Sequence, residues 1–131
     1  MTRILLVDDD DDVLATLKSI FEAAGHEVEA LNDSRKLMQT VGRFAPDVVL
    51  LDVVMPEPDG LACLELLKAG RPDLPVAVMT GGGGVAAPGD LLERAGHLGA
   101  DAVMEKPLQI KALIAILDRL TEIAAPGATR M

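Results

Sequence analysis

Val48-Val49-Leu50-Leu51-Asp52 is an unbroken apolar run closed by a carboxylate. It does not alternate with polar residues, so it reads as a strand buried on both faces, the pattern of a parallel sheet covered by helices on each side. Working outward, the same design recurs. Ile4-Leu5-Leu6-Val7 ends on Asp8-Asp9, and Val76-Ala77-Val78-Met79 ends on Thr80. A weaker run, Asp101-Ala102-Val103-Met104-Glu105, ends on Lys106-Pro107. Ligands of open parallel sheets collect at the carboxyl ends of the strands. Three carboxylates, a hydroxyl and an ammonium are therefore expected on one edge, a set suited to a divalent cation beside a phosphorylated carboxylate.

Between these runs the apolar spacing changes to that of helices. Residues 12–24 carry Val13, Leu14, Leu17, Ile20 and Phe21, and Gly25 can take the left-handed cap that follows. His26 to Leu31 alternates as a strand. Asn32-Asp33-Ser34 is expected to cap a helix bearing Leu37, Met38, Val41 and Phe44. A third helix should follow Asp59-Gly60 with Leu61, Leu64, Leu66 and Leu67, a short fourth should run from about Pro88 to Leu98, and a last from Leu108 to Ala124. Strands and helices in strict alternation specify an α/β domain, a doubly wound five-stranded parallel sheet with five helices. The expected strand order is the flavodoxin-like 2-1-3-4-5, which sets the first and third strands side by side at the switch point. Residues 1–124 are expected to form this domain and residues 125–131 a flexible tail.

Composition narrows the class further. A chain of 131 residues, half of them apolar, closes one core. The net charge of −9 argues against a direct grip on nucleic-acid phosphates, which depends on Lys and Arg. No apolar stretch approaches the roughly 18 residues of a membrane span, and the apolar stretch after Met1-Thr2-Arg3 is too short for a secretory signal. Cys63 is the single cysteine, so neither a disulfide nor a cysteine metal site is expected. A cytoplasmic domain that binds neither membrane nor nucleic acid is the expectation.

Val7-Asp8-Asp9-Asp10, Leu51-Asp52-Val53-Val54-Met55-Pro56 with Asp59-Gly60, Met79-Thr80-Gly81 and Lys106-Pro107 resemble, in order and spacing, the motifs of the response-regulator receiver family. The similarity covers about residues 3–123 and implies the strand order given above. It also implies a two-component switch in which Asp52 accepts a phosphoryl group from a sensor histidine kinase or a histidine phosphotransfer protein. Asp8, Asp9, Asp52 and the backbone carbonyl of Val54 would hold Mg²⁺, or Mn²⁺ in its place. Lys106 would pair with a phosphoryl oxygen, and Thr80 would hydrogen-bond the phosphoryl group once it is on Asp52. Hard oxygen donors of this kind are those Mg²⁺ prefers. The resemblance further implies a protein that labels and clears itself and is not a multi-turnover enzyme. Its protein target would dock on the face of the fourth helix, fifth strand and last helix, where Leu113, Ile116 and Leu120 are expected to offer apolar contacts.

The acidic run admits other readings. Asp10, Asp11 and Asp12 read as a solvated helix start whose charge favours the amino end. An EF-hand loop would need glycine and glutamate where Val13 and Ser19 stand, and so is excluded. A haloacid-dehalogenase-like phosphatase could draw on Asp8, Asp10, Thr80 and Lys106, but it leaves Asp52 without a role. A receiver excised from a larger regulator or hybrid kinase is the alternative to a stand-alone one. Two departures from the family pattern bear on switching. Val103 stands where receivers place a tyrosine or phenylalanine, and Gly81-Gly82-Gly83-Gly84 follows Thr80. The glycine run is therefore expected to absorb the movement that an aromatic ring makes elsewhere. Val54 and Gly82 stand where the family tunes water access, and neither side chain can position a water.

Overall fold

A computed structural model describes residues 2–53, 60–80, 88–105 and 109–124. Val54, Lys106, residues 81–84 and the tail 125–131 lie outside the described residues. So do the expectations placed on them.

Among the described residues the chain alternates β1 (Arg3–Val7), α1 (Asp11–Ala23), β2 (Glu27–Leu31), α2 (Leu37–Phe44), β3 (Val48–Asp52), α3 (Gly60–Gly70), β4 (Val76–Thr80), α4 (Pro88–His97), β5 (Ala102–Glu105) and α5 (Ile110–Ala124). The strands form one parallel sheet in the order β2-β1-β3-β4-β5, as the sequence implied. β3 lies at the centre, and each of its five residues is buried. Burying a large apolar side chain stabilises by roughly 1.5–3 kcal/mol. A one-residue slip of β3 would exchange Val49 and Leu51 with Val48 and Leu50 between the two sides, so register is tightly specified.

Alternate strand residues feed two cores. Leu5, Val7, Val49, Leu51, Val76 and Val78 pack under α2, α3 and α4, through residues such as Leu37, Phe44, Leu64, Leu67 and Ala95. Ile4, Leu6, Val48, Leu50, Ala77 and Met79 pack under α1 and α5, through Leu14, Leu17, Phe21, Leu113, Leu117 and Leu120.

Local chemistry explains most of the boundaries. Asp10, which the sequence assigned only to a solvated run, is the N-cap of α1. Its side chain accepts from the amides of Asp12 at 3.0 Å and Val13 at 3.3 Å. Gly25 ends that helix at φ 95°, donating to the Glu22 carbonyl, while the His26 amide reaches Phe21. That is the left-handed closure glycine permits most readily.

Four expectations are corrected. Asp33 caps not an α-helix but a 3₁₀ turn, Ser34–Lys36, with α2 following it; the Asp33 carboxylate satisfies the Arg35 amide at 3.1 Å and so closes a tight turn first. The last helix begins at Ile110, and the expected start, Leu108, lies outside the described residues. Leu66, expected among the apolar positions of α3, is 53 % exposed, because the buried stripe is set by Leu64, two positions before it, and Leu67, one after. Leu113 and Leu120, expected to offer surface contacts, are buried against the sheet with Leu117. Spaced by four and three residues, these three leucines form the single stripe a helix lays on its core.

Candidate functional site

Parallel pairing brings the strand ends together in register. Val7 pairs with Leu51, so the next residues, Asp8 and Asp52, leave β1 and β3 side by side. Asp52 pairs with Met79, one residue before Thr80, and Thr80 pairs with Glu105, the residue before Lys106 in the chain. Asp8, Asp52 and Thr80 are all buried, while Asp9 is exposed.

One carboxylate oxygen from each of Asp8, Asp9 and Asp52 lies within 4.8 Å of the others. Like charges so close repel, and a divalent cation between them relieves that repulsion. The set fits Mg²⁺ by its chemistry, since the donors are hard oxygens, and by its access, since Asp9 opens the cluster to solvent. Asp8 is oriented by the Asp10 amide, which donates to its Oδ1 at 3.0 Å. One turn of backbone therefore both caps α1 and aims Asp8. This use of Asp10 leaves the phosphatase reading without the second acid it requires. Asp11 is not part of the cluster and accepts from the Asn32 side chain at 3.0 Å.

Thr80 Oγ1 is buried with no hydrogen-bond partner among the described residues. A buried hydroxyl left unsatisfied costs about 1–3 kcal/mol, and Thr80 stands on the strand next to Asp52, one residue past its register partner Met79. The peptide after Asp52 is fixed, because the Val53 amide donates to the Met79 carbonyl at 3.0 Å. Val103, in register with Val78 on β5, is 41 % exposed. The structure thus brings together Asp8, Asp9 and Asp52, and places Thr80 on the neighbouring strand end. Val54 and Lys106 are outside the described residues.

A parallel sheet of this order with an acidic cluster at its switch point defines a class of signalling domain, and the comparisons with known proteins agree. Residues 4–118 match the response regulator receiver domain family, and the chain belongs to that family. It is a receiver domain of two-component signal transduction. It is 36 % identical over 126 residues to response regulator MprA of Mycobacterium leprae (strain TN), covering 95 % of this chain and 53 % of that protein. Over 129 residues it is 33 % identical to the transcriptional regulatory protein PrrA of the same organism, covering 97 % and 53 %. The chain therefore spans about half the length of these relatives. Among solved structures, the receiver domain of NtrX from Brucella abortus superposes with a TM-score of 0.82 at 31 % identity, covering 91 % of this chain and 98 % of that one. A CheY-like receiver domain protein from Methanospirillum hungatei JF-1 gives a TM-score of 0.83 at 26 % identity, covering 95 % and 96 %. None of the described helices is long and apolar enough to cross a membrane.

Proposed function

We propose that Asp52 is the phosphoacceptor of a two-component switch, labelled by a sensor histidine kinase or a histidine phosphotransfer protein. The observation that carries this reading is the convergence of the Asp8, Asp9 and Asp52 oxygens within 4.8 Å, on the same sheet edge as the buried hydroxyl of Thr80. A carboxylate oxygen of Asp52 attacks phosphorus, an O–P bond forms, and the P–N bond of the donor phosphohistidine breaks as the imidazole leaves. Asp8, Asp9 and Asp52, with the Val54 carbonyl, are the residues that would hold Mg²⁺, which when bound offsets negative charge on the transferred group. Thr80 then donates its hydroxyl proton to a phosphoryl oxygen, and Lys106 pairs with another as a point charge.

The product is the signal, so the domain acts once per labelling event and is not a multi-turnover enzyme. A phosphoryl group adds about −1.5 to −2 charge units, and the responding face is that of α4, β5 and α5. Among the described residues the exposed large apolar side chains on it are Val103 and Ile110, in place of the buried Leu113 and Leu120. The output is a contact with another protein, made either by this domain alone or through a longer regulator.

Incubation with acetyl phosphate and Mg²⁺ should add one phosphoryl group by intact mass, and Asp52→Asn should take none. An Asp52→Asn protein labelled as fully as the wild type would overturn the assignment.

A further inference from the structure

Gly60 opens α3, far enough along the chain from Asp52 to have no obvious share in its chemistry. Yet a Cβ at this position would lie 2.1 Å from the Val53 Cα, 2.3 Å from the Asp52 carbonyl oxygen and 2.9 Å from the Asp52 carbonyl carbon. All three are backbone atoms, so no side-chain rotation relieves the overlap. The Asp52–Val53 peptide is held from its other side too, by the hydrogen bond from the Val53 amide to the Met79 carbonyl on β4. Nor can α3 withdraw freely, because Leu61, Cys63, Leu64 and Leu67 anchor it in the core. Its first turn therefore presses directly on the peptide that carries the Asp52 side chain.

We propose that Gly60 is a positioning residue for Asp52. Lacking a side chain, it lets α3 form a backstop that fixes the Asp52 carboxylate at the distance from Asp8 and Asp9 that cation binding and attack on phosphorus require. This inference rests on reading Asp52 as the phosphoacceptor. A methyl group at residue 60 either displaces the Asp52–Val53 peptide or lifts the start of α3, and both shift the carboxylate relative to its partners. Supporting residues around a metal site change affinity by about 10–100-fold when altered, and misplacing a reacting group by about 1 Å costs about 100-fold in rate.

The test compares Gly60→Ala with Val41→Ala, a truncation in the same core on α2 that lowers stability without approaching Asp52. Amide-shift titration with Mg²⁺ alone reads affinity in the folded protein, and intact mass reads labelling by acetyl phosphate. Gly60→Ala should lose at least about tenfold in Mg²⁺ affinity. It should also lose at least about tenfold in labelling rate, while Val41→Ala stays within about twofold on both. Should Gly60→Ala unfold in buffer, both measurements are made in trimethylamine oxide, which favours the folded state. A folded Gly60→Ala that matches the wild type overturns the proposal, as do equal losses in the two variants. Failure to fold even in the osmolyte overturns it as well, since the role would then be one of folding alone. A wild-type domain that neither binds Mg²⁺ nor accepts a phosphoryl group would instead overturn the functional reading, a result distinguishable from these.

Discussion

At the amino edge of the sheet Arg3 meets Glu27 at 2.8 Å and Lys68 meets Asp101 at 2.6 Å; at the carboxyl edge three carboxylates of one sign share a single spot. The amino edge is stitched further. Asp47 accepts from the Arg3 amide at 2.8 Å, the Arg3 guanidinium lies 5.2 Å from the centre of the Phe44 ring, and Asp101 accepts from the Val76 amide at 2.8 Å. Lys68 donates in addition to the Leu74 carbonyl at 3.0 Å. Opposite charges there close the loops that feed the strands. At the carboxyl edge the same sheet delivers like charges and a buried hydroxyl with no partner among the described residues. Among the described residues the sheet thus keeps its opposite-charge pairs at one end and gathers its acidic cluster at the other, where the cation and phosphoryl group of the proposed switch would bind.

The difference is open to direct attack. Asp101→Ala removes hydrogen bonds from both Lys68 and the Val76 amide, and should lower unfolding free energy by about 2 kcal/mol, measured by urea denaturation. Its Mg²⁺ affinity should stay at the wild-type value; a loss there would mean that the two edges are coupled. Next in size, Asp9→Ala should weaken Mg²⁺ binding by about tenfold. Asp11→Ala, whose carboxylate faces Asn32, should leave calorimetric titration almost unchanged. Equal effects from the two would make the acidic run a diffuse field. At five times its dissociation constant, Mg²⁺ should stabilise the wild type by about 1 kcal/mol. Thermal melts of Asp101→Ala should show the same increment, and those of Asp9→Ala a smaller one.

The smallest effect concerns Asp33, where hydrogen bonds from the Arg35 side chain and then its amide hold the carboxyl down from the ordinary 3.8 to about 2. A depressed folded-state value means the contribution is present above pH 3.8 and is lost as pH falls through about 2. The Asp33 side chain is half-buried but its partner Arg35 is largely exposed, so solvent screening keeps the contribution slight. A carboxyl-carbon titration of Asp33 should show the low midpoint, and Arg35→Ala should raise it toward 3.8.

Much of this was legible in the sequence because strands buried on both faces leave unbroken apolar runs. The ends of those runs point to Asp8, Asp52 and Thr80. The face that α5 turns inward was not legible. Ile110, Leu113, Ile114, Ile116, Leu117 and Leu120 offer apolar side chains around much of the helix, and only the sheet selects among them. The role of Asp10 was hidden inside a run of identical acids, where the capping residue is set by where β1 stops. Ala45 at φ 52° carried no local signal either; the phase of α2 and the demand of β3 for its register place an alanine where glycine is usual. Gly60 was visible as the start of the third helix and as part of the motif shared with Asp52, but its close approach to the backbone of residues 52 and 53 is a tertiary fact.

β3 is walled in by a strand on each side and a layer of helices above and below. Backbone so placed opens only when the whole domain unfolds, and its amides are expected to be among the last to exchange with solvent. The carboxylate proposed to carry the message is fastened to the end of that strand. A phosphoryl group placed there would sit on rigid backbone, and its lifetime would then depend on bond hydrolysis and not on local opening of the strand.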